Sequence, residues 1–461
     1  MAMNKREFLK ASGAVAAWTL LSKVAKGVAN GVLRGQTGAS DVERRTNWAG
    51  NYAYRAEHLD VPSDVDQVKK NILEHARAKA LGARHSFNAI ADSREEQISL
   101  EQFDQIDLDA KNRTVTVGAG VTYGQLAPYI DSRGFAVHNM ASLPHISVVG
   151  ACATGTHGSG NRNGNLSTAV RAMEMVTADG SVVTLSREKT GDTFPGVVIG
   201  LGALGVITKI TLEVEPAFQM TQRVYENLSF SQLEKHLGEI FGSGYSVSLF
   251  TDWQEGRATQ VWIKQKSSPG ASAVVAGDFF GATPAKRKMH PIADHSAESC
   301  TEQMGVVGPW YERLPHFKMN FTPSSGAELQ TEYFVPRAKG YEAIRAVEQL
   351  RDEITPHLFI TEFRTIAADE LWMSPAYRRD SMAIHFTWKP EWPEVRKVLP
   401  QIEEKLAPFG VRPHWAKLFT VKPAAVQGQY ARLEDYRALL RQYDPKRRFR
   451  NEFLEMNVYG G

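Results

Sequence analysis

Apolar residues recur at two periods along this chain, and the changes between them mark out its elements. Residues 64–80 carry Val68, Ile72, Leu73 and Ala76 at helical spacing, which predicts a helix over that stretch. A glycine-started turn follows over 81–88. Thr114 to Val117 is a β-branched run that leads into Gly118 and Gly120, so a strand ends there in a turn. The pattern then predicts a short helix over 124–130 and another strand over 134–137. Two β-rich runs flank Asp179-Gly180, the signal of a hairpin across 173–184. Residues 199–214 pass from a glycine-punctuated turn into a strand. Residues 47–216 thus read as an α+β unit of short strands. After Glu215-Pro216 the elements lengthen, with strands over 260–263 and 329–335 and helices over 340–354 and 395–406. A domain boundary near residue 216 follows.

The length of 461 residues allows two or three domains, each able to bury a core. The net charge of +3 is too balanced for a polyanion binder. The basic run 446–450 is closed by Glu452 and reads as a solvated turn, so no nucleic-acid partner is expected. With Cys152 and Cys300 as the only cysteines, a disulfide scaffold and a cysteine-rich metal centre are both excluded. Whether the two could pair is left open. At the start, Lys5 and Arg6 precede an apolar stretch over 11–21, shorter than the roughly 20 residues a membrane span needs. The run Lys-Arg-Glu-Phe-Leu-Lys resembles a twin-arginine export signal with Lys5 in the first arginine's place. A leader over 1–39 and a periplasmic destination are expected, or a cytoplasmic one if the segment is an amphipathic helix instead.

Candidate chemistry is concentrated in a few segments. Gly150, Gly155, Gly158, Gly160 and Gly164 crowd the stretch 144–165, where backbone amides can approach a phosphate because no Cβ intervenes. No Gly-Lys-Ser/Thr follows, and no βαβ unit with a ribose-binding acid, so neither a P-loop nor a Rossmann fingerprint fits. A plain structural loop is the alternative. His85, between Arg84 and Ser86, is either a structural histidine or an imidazole held neutral and nucleophilic. In Thr361-Glu362-Phe363-Arg364 and His385-Phe386-Thr387-Trp388, polar residues alternate at the period of a strand. Such pairs are either solvated ion pairs or the polar floor of a site for a hydroxyl-rich substrate. Lys417 closes an aromatic turn over 412–417. Trp253, Trp262, Trp310 and Tyr311 could line a pocket, with core packing the commoner role. No zinc-binding His-Glu-x-x-His and no Gly-x-Ser-x-Gly elbow occurs, so no metal is expected.

Taken in order, LGARHSFN, ASLPHISVVGACATGTHGSG, TEFRTIAADELWMSPAY, HFTW, RPHWAKLF and DPKRRFRNEFL resemble the alditol oxidases. These belong to the vanillyl-alcohol-oxidase type of FAD-dependent enzymes, which also includes sugar-lactone oxidases. The resemblance runs from about residue 47 to the end. It implies an α+β fold: a PCMH-type FAD-binding domain over 40–216, and a substrate domain on an antiparallel sheet over 217–417. The segment 418–461 would rejoin the first domain. It further implies that His85 bonds covalently to FAD. Gly82, Ala83, Arg84, Ser86, Ser142, His145, Ser147, Gly150, Thr154, Gly155, His157, Gly158, Gly160 and Val206 would surround the cofactor. Ser147, Glu362, Arg364, His385, Thr387 and Lys417 would hold a polyol, with Lys417, Arg364 and Glu362 closest to the chemistry. Cys152 has no counterpart in the second flavin linkage of some relatives and reads as a small buried residue. The implied reaction oxidises a terminal alcohol to the aldose and reduces O2 to hydrogen peroxide, in a monomer. A quinone-, cytochrome- or dye-coupled dehydrogenase, a sugar-lactone enzyme and a non-catalytic carbohydrate binder are the alternatives.

Overall fold

Two hydrophobic cores organise the chain, one beneath short strands and the other beneath one broad sheet. The computed structural model describes residues 45–267 and 277–460. The leader expected over 1–39 lies outside the described residues. Among those described, no helix is long and apolar enough to cross a membrane.

The first core is framed by two sheets. A small parallel sheet orders His58–Asp60, Glu96–Ser99 and Ala78–Leu81. An antiparallel sheet orders Ile106–Asp109, Thr114–Gly118, Val206–Glu213, Val170–Val176 and Val182–Ser186. The expected hairpin is present, with Gly180 at φ 83° and Asp179 accepting the amide of Ser181 at 3.0 Å. The helix expected over 64–80 is shorter than its periodicity suggests. It spans Val65–Glu74, started by Asp64, which accepts Gln67 N–H at 2.9 Å, and stopped by an extended His75. Ala78 and Leu81 are buried on a strand instead, because Glu96–Ser99 lies alongside and Arg448 O takes the Ala78 amide at 2.9 Å. Tertiary pairing overrides helical periodicity here.

The second core lies under a wholly antiparallel sheet. Its central strands run in the order Arg257–Ser267, Ser246–Thr251, Leu358–Ile366, Ser381–Trp388 and Leu329–Pro336. Gln219–Ser229 extends one side and Arg412–Pro413 the other. Alternate residues Leu249, Phe363, Ile384 and Phe386 point to one face, where they meet the helices Phe230–Gly242, Gly340–Glu348 and Trp392–Leu406. The helix expected over 340–354 breaks after Glu348 and resumes at Arg351–Ile354, with Leu350 packed into the core at the break. Trp253, Trp262 and Trp310 are fully buried core residues, and Tyr311 packs at the edge of the first core. Cys152 and Cys300 are both buried free thiols.

The chain's last section returns to the first core. Tyr436, Leu439, Leu440, Phe449, Phe453 and Val458 pack with Val68, Val115 and Ile210. Tyr436 donates its hydroxyl to Gly200 O at 2.8 Å. Asn451 ties the section to the segment after the His85 loop: its amide donates to Ala89 O, Ile90 O and Asp92 O at 2.9–3.1 Å, and its Oδ1 accepts Leu454 N–H at 3.0 Å. Asn451→Ala strips partners from these carbonyls and removes a helix cap. It is expected to cost about 1–3 kcal/mol in a urea denaturation experiment.

Candidate active site

The polar face of the large sheet forms one wall of a deep cavity, and loops from the first core form the other. Strand register makes this wall. Glu332, His385 and Glu362 sit directly opposite one another on three adjacent strands, and Gln330 faces Thr387 in the next row. Arg364 lies two residues beyond Glu362 and therefore on the same face. The period-two alternation at 361–364 and 385–388 is thus a cavity floor, and it continues onto a third strand.

Arg364 is the centre of the floor. Its Nη2 donates to Glu332 Oε1 at 2.7 Å and its Nη1 to Ser142 Oγ at 3.2 Å, while Nε lies 3.6 Å from Glu362 Oε1. His157 Nε2 stands 3.1 Å from the same Glu332 oxygen. Burial by itself would raise Glu332, but His157 and Arg364 overcome it and hold the carboxyl well below the usual range. Glu362 is likewise held low, with Arg364 and His316 outweighing burial. Both carboxylates therefore stabilise the fold above the ordinary value of 4.5, and that contribution drains away as the pH falls below it. His157, Glu332 and His414 bring ligand-type atoms within 4.8 Å of one another. Within this cluster, Arg364 already takes Glu332 Oε1, and His414 Nδ1 accepts the Ala416 amide at 3.1 Å.

Lys417 reaches over the floor from the opposite edge. Its Nζ donates to Gln330 Oε1 and lies 4.8 Å from the centre of the Phe87 ring. Burial lowers its ammonium to about 8. His385 is pushed down to about 3, mainly by burial, and its Nε2 is buried with no hydrogen-bond partner among the described residues. The floor therefore holds two carboxylates against Arg364 and Lys417, with a neutral imidazole between them.

The facing wall is the loop Gly82 to Phe87. It is fastened from one side by Asn47, whose Nδ2 donates to Ser86 O at 2.9 Å, and by Asn51 and Trp48. From the other side Asn88 Nδ2 donates to Trp415 O at 2.8 Å and Lys417 O at 2.7 Å. The His85 and Lys417 loops are thereby joined. His85 stacks on Trp48 with ring centres 4.9 Å apart. Burial first, then the charge of Lys417, brings it down to about 3, so it is neutral at neutral pH. None of the amides of Ala83, Arg84, His85 or Ser86 donates to a described residue, and Arg84 sits in the left-handed region at φ 60°. Successive free amides around such a turn make a concavity suited to a phosphate. A Cβ on Gly82 or Gly150 would come within 2.7 or 2.6 Å of Ser147 Oγ, so the two glycines leave room for the hydroxyl in its present position.

Of the residues expected around the cofactor, Gly82, Ala83, Arg84, His85, Ser86, Ser142, Ser147, Gly150, Thr154 and His157 line the cavity. Glu362, Arg364, His385, Thr387 and Lys417 complete it from the sheet side. Five others stand off the wall. His145 faces Met319 O at 2.9 Å, and Gly155 packs against Ile199 and Pro375. Gly158 is closed in by Asn139 and Met140, Gly160 pairs with Ile366, and the Val206 side chain is core. Sequence reasoning missed Glu332 and Gln330, although both alternate with apolar residues on a predicted strand. It also missed His316, His414 and Trp48, which come from segments without a periodic signal, and Lys79, which sits on a strand where the spacing predicts a helix.

Two family models match the chain: FAD binding domain over residues 57–186 and D-arabinono-1,4-lactone oxidase over 322–457. In fold the chain is similar to cholesterol oxidase from B. sterolicum, with a TM-score of 0.72 at 15% identity, covering 90% of this chain and 96% of that one. The fold and cavity are those of a flavoprotein of the vanillyl-alcohol-oxidase, or PCMH, type. An alditol oxidase from a Streptomyces species is 46% identical over 414 residues, 89% of this chain and 97% of that protein. L-gulono-1,4-lactone dehydrogenase from Mycobacterium tuberculosis is 27% identical over 426 residues, 88% and 97% of the two chains. The chain belongs to the alditol oxidase family. FAD fits the residues present, since the free amides of 83–86 suit its pyrophosphate and His85 offers a neutral nitrogen beside them.

Glu332→Leu leaves the Arg364 charge buried with only Glu362 nearby. It is expected to destabilise the protein by about 3–5 kcal/mol, read from denaturant midpoints.

Proposed function

We propose that the protein oxidises a terminal alcohol of a polyol such as xylitol or sorbitol to the aldose, passing the electrons to O2 as hydrogen peroxide. The observation that carries this reading is the sheet floor, where closely spaced hydrogen-bonding side chains line the cavity and their charges cancel. A polyol needs many partners, because each buried hydroxyl left unpaired costs about 1–3 kcal/mol. A balanced floor suits an uncharged substrate.

FAD, when bound, supplies the hydride-accepting chemistry, and the protein's part is to orient and polarise. Lys417 and Arg364 favour negative charge on the reacting oxygen. Glu362, an ionised acceptor, takes hydroxyl hydrogens of the substrate and orients the chain; His385 Nε2, Thr387 and Ser147 meet other hydroxyls. His85, neutral and stacked on Trp48, is the proposed covalent attachment point. In this reading residues 40–216 and 418–461 hold the cofactor, and 217–417 present the substrate. The twin-arginine-like leader supports export of the folded, loaded protein to the periplasm.

Peroxide should form with xylitol or sorbitol in air. Dye reduction without peroxide would mark a dehydrogenase instead, as the 27%-identical lactone relative suggests. After acid precipitation the yellow colour should stay in the pellet for the wild type and move to the supernatant for His85→Ala. Lys417→Ala should lose at least about 100-fold in kcat at unchanged FAD content, the scale of one lost electrostatic contact to the transition state. If Lys417 acts as an ammonium, kcat/KM falls as the pH rises through about 8; an amine acting as base gives the opposite slope.

A further inference from the structure

Behind Glu362 lies a buried chain of ionisable groups that none of the roles above uses. Lys264, on the strand Arg257–Ser267, is 1% exposed. Its Nζ donates to Leu314 O and to Pro315 O at 3.2 Å, and lies 3.0 Å from His316 Nδ1. As an ammonium, the form it holds below about 7, it has three N–H groups and no lone pair, so all three partners must accept. The second ring nitrogen, His316 Nε2, stands 2.8 Å from Glu362 Oε1. Trp262 and Phe250 enclose the ring edge-on, at 5.0 and 5.6 Å between centres. The backbone amides of His316 and Phe317 donate to Ser142 O at 2.8 and 3.1 Å, fixing the segment to the serine that meets Arg364.

We infer that His316, locked in one tautomer by Lys264, is a positioning residue that holds Glu362 ionised and turned toward the substrate. A neutral imidazole has one N–H and one lone pair. With Nδ1 accepting from Lys264, the proton must sit on Nε2, where it donates to Glu362 Oε1. That anchors one carboxylate oxygen and leaves Oε2 open to the cavity, 3.9 Å from His385 Nδ1. A hydroxyl of the substrate then meets an acceptor that cannot rotate away. Burial and the Lys264 charge bring His316 down to about 4, opposed by Glu362, while Arg364 acts with Lys264. The charged groups facing the ring are therefore Lys264, Glu362 and Arg364, and Cys300 faces Lys264 from the far side.

This role rests on the polyol reading, but its test does not depend on it alone. Imidazole nitrogen spectra of 15N-histidine-labelled, FAD-loaded protein at pH 6.5 should show a neutral Nε2–H ring that disappears in His316→Gln. In Lys264→Met the donor that fixes Nδ1 as an acceptor is gone, so the same ring should lose its single tautomer and its nitrogen signals should shift. In steady-state kinetics His316→Leu should raise KM for the best polyol about 10-fold or more at full FAD occupancy. His316→Gln, which keeps an N–H toward Glu362, should recover to within about 3-fold. A wild-type ring protonated at Nδ1, a ring unchanged in Lys264→Met, or equal KM values for His316→Leu and wild type would each overturn the inference. A wild type inactive on every polyol would remove the functional reading, while the nitrogen spectra still decide the tautomer.

Discussion

Arg364 can be buried only because two carboxylates meet it at fixed positions, and most of the site depends on that constraint. An ion taken out of water costs several kcal/mol unless its geometry is well matched. Here the match is delivered by strand register, since Glu332, His385 and Glu362 lie in one row across three strands. A one-residue slip of any of these strands would turn its charges into the core beneath and its aromatics into the cavity. The apolar face packed on the helices and the charged face above it therefore enforce the same register. The electrostatic floor and the hydrophobic core are two readings of one alternation.

The opposite wall is held differently. The His85 loop contributes few side chains to either core, and its position comes from hydrogen bonds of Asn47, Asn51 and the Trp48 amide to its carbonyls, with Asn88 tying its end to Trp415 and Lys417. With these carbonyls taken, its amides are left over, and a loop with spare donors and fastened acceptors suits an anion. The division of labour is simple. The sheet fixes charge, and the loop offers backbone.

Much of this was legible in the sequence, for identifiable reasons. Strands 358–366 and 381–388 advertise themselves because a half-buried strand must alternate, and Glu362, Arg364, His385 and Thr387 fall on the polar phase. Glu332 obeys the same rule on the strand 329–335, but Phe334 falls in its polar phase and Thr331 in its apolar one, which blurs the alternation. His316 carried no signal, because it sits in an irregular segment whose place is set by contacts with Ser142 and Lys264. Glycine density singles out 144–165 without saying which glycines face the cavity: Gly150 does, while Gly158 and Gly160 are wedged against Asn139 and Asn163. Residues 76–81 misled for the opposite reason, as they suit either period and a strand distant in sequence decided.

The Asn88 clamp also bears on how the molecule is made. Its bonds to Trp415 and Lys417 span 327 and 329 positions of sequence. Together with Phe449, Phe453 and Val458 sealing the first core, they place the closing parts of the cavity after every strand of its walls in chain order. Long-range contacts of this kind form late and after a costly loop closure. A nascent chain stopped before residue 415 carries the strands of all the sheets but lacks the partners of the amide clamp, the lysine and the plug. The tie between the two walls therefore follows the synthesis of every strand that forms them.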